Sequence, residues 1–111
     1  MTRKFIRATY FDKRWDDMKL SDEDLRELEN HLLKNPGIGD IIIGTSGARK
    51  LRWAIPGNNK GKSGGIRVIY VDLAQKEHIH LLLCYPKSER ETLTAEQKRH
   101  LEKLINILKG E

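Results

Sequence analysis

Apolar residues recur along this chain in two rhythms, and the switch between them divides it. Near the N-terminus, Lys4 to Tyr10 (KFIRATY) reads as a first strand, with β-branched and aromatic residues set between polar ones. In FDKRWDDMKL, Phe11, Trp15 and Met18 then fall at helical spacing and predict a short helix. Ser21 opens a second helix as its N-cap, with Asp22, Glu23 and Asp24 in the first turn, where the helix dipole favours negative charge. Leu25, Leu28 and Leu32 give that helix one apolar stripe, with Leu33 beside it. Asn35-Pro36-Gly37 ends it, because proline disfavours a helical residue before it and glycine permits the turn.

Past this point the period shortens to two. Lys50 to Ile55 alternates, sending basic residues to one face and Leu51, Trp53 and Ile55 to the other. Gly65 to Val71 predicts a second arm, and His78 to Tyr85, nearly all apolar in its middle, a strand inside the sheet. Ile38 to Gly47 (IGDIIIGTSG) suits a short strand by its isoleucines and an extended approach by its glycines. Thr94 caps a last helix with Gln97 in the capping-box position, and Leu101, Leu104, Ile105 and Leu108 form its expected buried stripe. The predicted order is β-α-α-β-β-β-α. It implies a single α+β domain over residues 1–111, with an antiparallel-dominated sheet of about four strands, two N-terminal helices and a C-terminal helix.

Charge adds direction to this picture. The chain is 33% charged and 38% hydrophobic, with a formal net charge of +5 and a pI near 9.4, which points to an acidic partner. The excess is segregated. From Ile41 to Val71 there is no acidic residue, while Gly44 to Val71 holds Arg49, Lys50, Arg52, Lys60, Lys62 and Arg67. Two strand-like runs here flank the glycine- and lysine-rich loop PGNNKGKSGG, an arrangement suited to gripping a polyanion. Arg67 shares its strand face with Ile69 and Val71, so it is either paired inside or aimed at a ligand from the end of the sheet.

Other chemistries find little support. One cysteine, Cys84, cannot form an intrachain disulfide, and four histidines (His31, His78, His80, His100) lack the spacing of a helical metal pair. No metal and no cofactor is therefore expected. The N-terminal stretch has no apolar core of signal-peptide length and no run is long enough to span a membrane, so a cytoplasmic setting without membrane contact is expected.

Three segments in register carry a resemblance. Gly44-Thr45-Ser46-Gly47-Ala48-Arg49-Lys50-Leu51-Arg52, Gly61-Lys62-Ser63-Gly64-Gly65-Ile66-Arg67-Val68-Ile69-Tyr70 and Tyr85-Pro86-Lys87-Ser88-Glu89 resemble the motifs of the HigB branch of the RelE/ParE toxin superfamily. The resemblance spans nearly the whole chain. It implies the toxin of a type II toxin–antitoxin pair, a ribosome-dependent endonuclease that cuts translated mRNA at the ribosomal A site and so inhibits translation. It also implies a cognate helix-turn-helix antitoxin and, through it, an indirect link to operator DNA.

Cleavage by this family's route needs a ribose 2′-hydroxyl activated, the charge on the phosphorane stabilised, and the leaving 5′-oxygen protonated. The resemblance places a functional arginine at Arg67, whose planar fork can bond two phosphate oxygens. Lys60 and Lys62 are candidates for backbone phosphate or proton transfer, and Lys87 for an acid or phosphate clamp. Tyr85 is a candidate for stacking on a splayed base, or else a half-buried core residue. Arg49, Lys50 and Arg52 suit contacts to ribosomal RNA or message. One departure stands out: Leu93 occupies the place where RelE-branch relatives often carry a tyrosine as possible base. Two other readings remain open, a ParE-like gyrase inhibitor that cuts nothing and an RNA-binding module that has lost its chemistry.

Overall fold

A computed structural model describes residues 2–54, 65–89 and 92–110. The elements run β1 (Lys4–Arg7), α1 (Thr9–Asp17), α2 (Asp22–Lys34), β2 (Asp40–Ile41), β3 (Arg49–Trp53), β4 (Ile66–Leu73), β5 (His78–Pro86) and α3 (Ala95–Lys109), with a 3₁₀ turn at Ala74–Lys76 between β4 and β5. The five strands form one sheet in the order β1-β5-β4-β3-β2. All pairs are antiparallel except β1 with β5, which run parallel with Lys4 opposite His78 and Arg7 opposite Leu81. The chain is thus the α+β domain expected, with β5 inside the sheet. Among the described residues no helix is long and apolar enough to cross a membrane.

Local chemistry sets the helix limits. Ser21 Oγ accepts the Asp24 N–H at 3.1 Å while Asp24 Oδ2 accepts the Ser21 N–H at 3.0 Å, a reciprocal capping box. Thr94 and Gln97 repeat the arrangement at the start of α3, at 3.1 and 2.9 Å. Gly110 closes α3 in the left-handed region at φ 88°.

Alternation along the strands divides the interior into two cores. Leu51, Trp53, Ile66, Val68, Tyr70, Ile79, Leu81 and Cys84 face α1 and α2 and pack on Phe11, Trp15, Leu25, Leu28 and Leu32. Ile69, Val71, Leu73, Leu82 and Tyr85 face the other way, toward Ile105 of α3 and Leu93 just before it. Between Ile69 and Tyr70 the β4–β5 register slips: Ile69 pairs with Leu83 and Tyr70 with Leu81, so Leu82 is an extra residue. This bulge turns Leu82 and Leu83 together to the α3 side.

The structure refines the expected sheet and corrects two expectations, the end of the first strand and the burial of Leu104. The sheet has a fifth strand, β2, only two residues long, and the isoleucine run around it is mostly at the surface, with Ile43 85% exposed. After β2, Thr45 holds a tight connection: its Oγ1 donates to Ile42 O at 2.7 Å and accepts the Ala48 N–H at 3.0 Å. The first strand stops at Arg7, and Tyr10 lies in α1, because Ala8 starts that helix in extended backbone. Leu104 is exposed, since the buried line of α3 runs through Leu101, Ile105 and Leu108, four and three residues apart.

Candidate active site on the α3 face of the sheet

Of the site residues named from the sequence, Arg52, Arg67, Tyr85 and Lys87 lie together at the end of the sheet where β3 stops and β4 starts. In the register, Arg52 lies opposite Arg67 and Arg67 opposite Tyr85, so the three form one row across β3, β4 and β5. Residues directly opposite one another point to the same side. That side is the one facing α3, and Lys50, opposite Ile69, shares it. Arg67 is 4% exposed and Tyr85 1%, whereas Arg52 is exposed and Lys50 half-buried. A guanidinium this deep beside a second, exposed one concentrates positive charge at the rim of the apolar core, where Coulomb interactions are screened less than in open water.

Lys87 stands one step beyond the row. Its backbone N–H donates to Gly65 O at 3.3 Å, and the Glu89 N–H donates to Pro86 O at 3.0 Å, so a turn holds the exposed lysine at the sheet end. Arg14 of α1 ties this turn down, pairing with the Glu89 carboxylate and donating from Nε to Cys84 O at 3.4 Å. The hydrogen bond to Glu89 raises the Arg14 pKa above its ordinary value despite some burial. Gly65 is obligatory here: its φ is +51°, and a Cβ would lie 2.4 Å from the Trp53 carbonyl oxygen. That explains a glycine two residues before Arg67. Lys60 and Lys62 lie outside the described residues.

One placement differs from the sequence reading, that of Arg49, and the core reading of Tyr85 is the one the packing favours. Arg49 does not share a surface with Lys50 and Arg52, because the pleat sends it to the opposite side of β3. Its Nη1 donates to Gly39 O at 2.7 Å and Gly37 O at 3.1 Å. Tyr70, its register partner, donates to Pro36 O at 2.7 Å and accepts the Gly39 N–H at 2.9 Å. Burial raises the Tyr70 pKa, so its phenol stays protonated as that donor. Arg49 therefore braces the α2–β2 connection. Tyr85 is packed into the α3-side core with its hydroxyl oxygen buried, and offers no open face for a base. Leu93, 7% exposed, belongs to the same core, so the position works in packing.

Among the described residues, the cysteine and the paired strand histidines lie away from this row. Burial pushes the Cys84 thiol up to about 12, and its Sγ faces Phe11 O on the α1 side, 3.7 Å away. His78 and His80 pack edge to face at 5.9 Å near the other end of β5. Burial, then His78 and Lys76, lower the His80 pKa, favouring a neutral imidazole. Among the described residues no cluster of three or more histidine, cysteine or carboxylate groups is placed to hold a metal.

No protein-family model matches the chain. Among solved structures, a variant of the Escherichia coli toxin RelE with two arginines replaced by alanine, in the free state, superposes with a TM-score of 0.56 over 82% of this chain and 90% of that one. The fold is RelE-like. Sequence identity across this match is 18%, so the likeness lies in architecture.

Proposed function

We propose that this protein is the toxin of a type II toxin–antitoxin pair, a HigB-like endoribonuclease that cuts mRNA on the ribosome. The observation that carries the reading is the cationic row: Arg52 directly opposite Arg67, with Lys87 one step beyond. Guanidinium forks and an ammonium gathered at one rim match the oxygens of phosphate, and a polynucleotide supplies phosphates in series. The RelE-like architecture and the three sequence segments in HigB order add support.

In this reading the 2′-oxygen of one ribose attacks the adjacent phosphorus. The P–O2′ bond forms, the P–O5′ bond breaks, and a 2′,3′-cyclic phosphate and a 5′-hydroxyl result. Arg67 binds the non-bridging oxygens and offsets the charge that grows on them. Lys87 is placed to clamp the phosphate or to protonate the departing 5′-oxygen. Lys60 and Lys62 belong to the same basic segment and are assigned to the phosphates alongside. Lys50 and Arg52 hold the incoming strand. With no histidine in the row, rate depends on alignment of the message, which a ribosome provides. The partners are then the ribosome with its mRNA, and a helix-turn-helix antitoxin that links the pair to operator DNA.

Mapping mRNA 5′ ends after induction tests this. Cuts within translated codons are expected, and they should vanish with Arg67→Ala and return in part with Arg67→Lys. Growth arrest with intact message and damaged DNA would overturn the reading in favour of gyrase inhibition.

A further inference from the structure

A second feature shares the α3 face with the cationic row. β1 ends opposite Leu81, so beyond that point β5 has no strand neighbour on that side. The first turn of α1 takes its place, anchored by the Ala8 N–H donating to Leu81 O at 2.9 Å. At this same level the bulge turns Leu82 and Leu83 together toward α3. The result is a cavity of about 290 Å³ with an apolar floor of Leu82, Leu83 and Leu93. Tyr10, 57% exposed, stands at its mouth, and Glu96 and Gln97 from the first turn of α3 line its rim.

We propose that this cavity is a nucleobase-binding pocket that reads one base of the RNA whose phosphate lies at Arg67; it rests on the reading of the protein as an RNA-binding enzyme. Shape and position argue for a base. The floor is apolar, and the exposed phenol ring of Tyr10 beside it offers a stacking surface, the usual way proteins hold unpaired bases. Leu83 lies two residues from Tyr85 on the same face, a separation of about 7 Å along a strand. A strand held at Arg67 and running along β5 toward Leu83 reaches the cavity within one nucleotide or two. Size agrees, since pockets for compact ligands start at about 300 Å³.

The rim indicates which edge would be read. Gln97 Oε1 accepts the Thr94 N–H at 2.9 Å, which leaves its amide N–H₂ as donor. Glu96 presents a carboxylate, an acceptor of two hydrogen bonds. His100, one turn further along α3, lines the same cavity. An acceptor pair beside a donor matches guanine best: its N1–H and N2–H₂ face a carboxylate together while O6 accepts from an amide. Uracil offers one donor between two carbonyls and should be the poorest fit.

The test is a titration of the ¹⁵N-labelled full chain with trinucleotides UUU, UAU, UCU and UGU, alongside 5′-end mapping of cut messages. Saturable shifts are expected at Tyr10, Leu83 and Leu93, tightest for UGU. Tyr10→Ala should weaken binding roughly tenfold through loss of stacking. Glu96→Gln should level the difference between UGU and UUU. Shifts confined to Arg67 and Lys87 for every trinucleotide would overturn the pocket, as would a cavity that answers only to an apolar helical peptide. The two proposals fail separately. Trinucleotides bound at the cavity while translated messages stay whole would remove the nuclease and leave the pocket. Cut messages with identical base preference in wild type and Glu96→Gln would do the reverse.

Discussion

The two faces of one sheet, built from alternate residues of the same strands, have been put to opposite uses. Toward α1 and α2 the sheet is sealed. Phe11 stacks on Trp15 at 5.6 Å between ring centres and Trp15 on Trp53 at 6.2 Å, with three leucines of α2 behind them. Even the cysteine there is inert. Toward α3 a single helix covers the lower part, and the upper part carries Lys50, Arg52 and Arg67. Two helices close a face; one helix leaves room for a ligand. Stability and chemistry are thus separated by the pleat of the strands, one residue apart.

Mutations can break this contrast in order of expected effect. Trp15→Ala should lower stability by about 3–5 kcal/mol, because it empties the middle of the aromatic stack, and urea unfolding measures it. Arg67→Ala should leave the far-UV dichroism unchanged while lowering the mRNA cleavage rate by about 10²–10³-fold, the usual loss for one transition-state donor. Loss of fold in that variant would return Arg67 to the sealed class. Arg49 and Arg52, three residues apart on one strand, offer a sharper pair. Arg49→Ala removes two hydrogen bonds to carbonyls and should cost about 2 kcal/mol of stability with RNA affinity unchanged. Arg52→Ala should do the opposite, reducing the salt slope of RNA or ribosome binding by about 1 at constant stability.

The effects in pH are smallest near neutrality and grow only toward its extremes. Cys84 ionises at about 12 in the fold against an ordinary 9.0, so the unfolded chain loses this proton first as pH rises. Stability should therefore fall with rising pH above about 9, and folded protein should resist thiol alkylation that urea-unfolded protein accepts. His80 works at the other end. Its pKa is lowered in the fold, so the unfolded chain takes up the proton first, and stability should fall as pH drops through the ordinary histidine value of 6.5. A His80→Gln variant should lose that acid slope in thermal melts.

Much of this was legible in the residues. Ser21, Thr94 and the leucines of α2 fixed helix positions because capping and a 3.6-residue period are local signals. The apolar middle of β5 announced an interior strand for the same reason. What escaped was non-local. Nothing near Arg49 tells which of the basic residues Arg49, Lys50 and Arg52 meets the carbonyls of Gly37 and Gly39. The bulge at Leu82 depends on the pairing of two strands, and Tyr85 is buried by residues distant in sequence. The cavity was invisible for that reason too: Tyr10 meets Leu83 only because β1 docks beside β5.

That docking also constrains when the molecule can become whole. β1 is made first, yet its partner is the last strand, with Lys4 waiting for His78. Parallel pairing between strands so far apart in sequence is slow to form, since the intervening chain must be ordered before the contact stabilises anything. During synthesis the N-terminal strand therefore leaves the ribosome without its mate, and Arg67 and Tyr85 cannot come into line until β5 has followed. Every copy is born incomplete, and the cationic row closes only as the final third of the chain arrives.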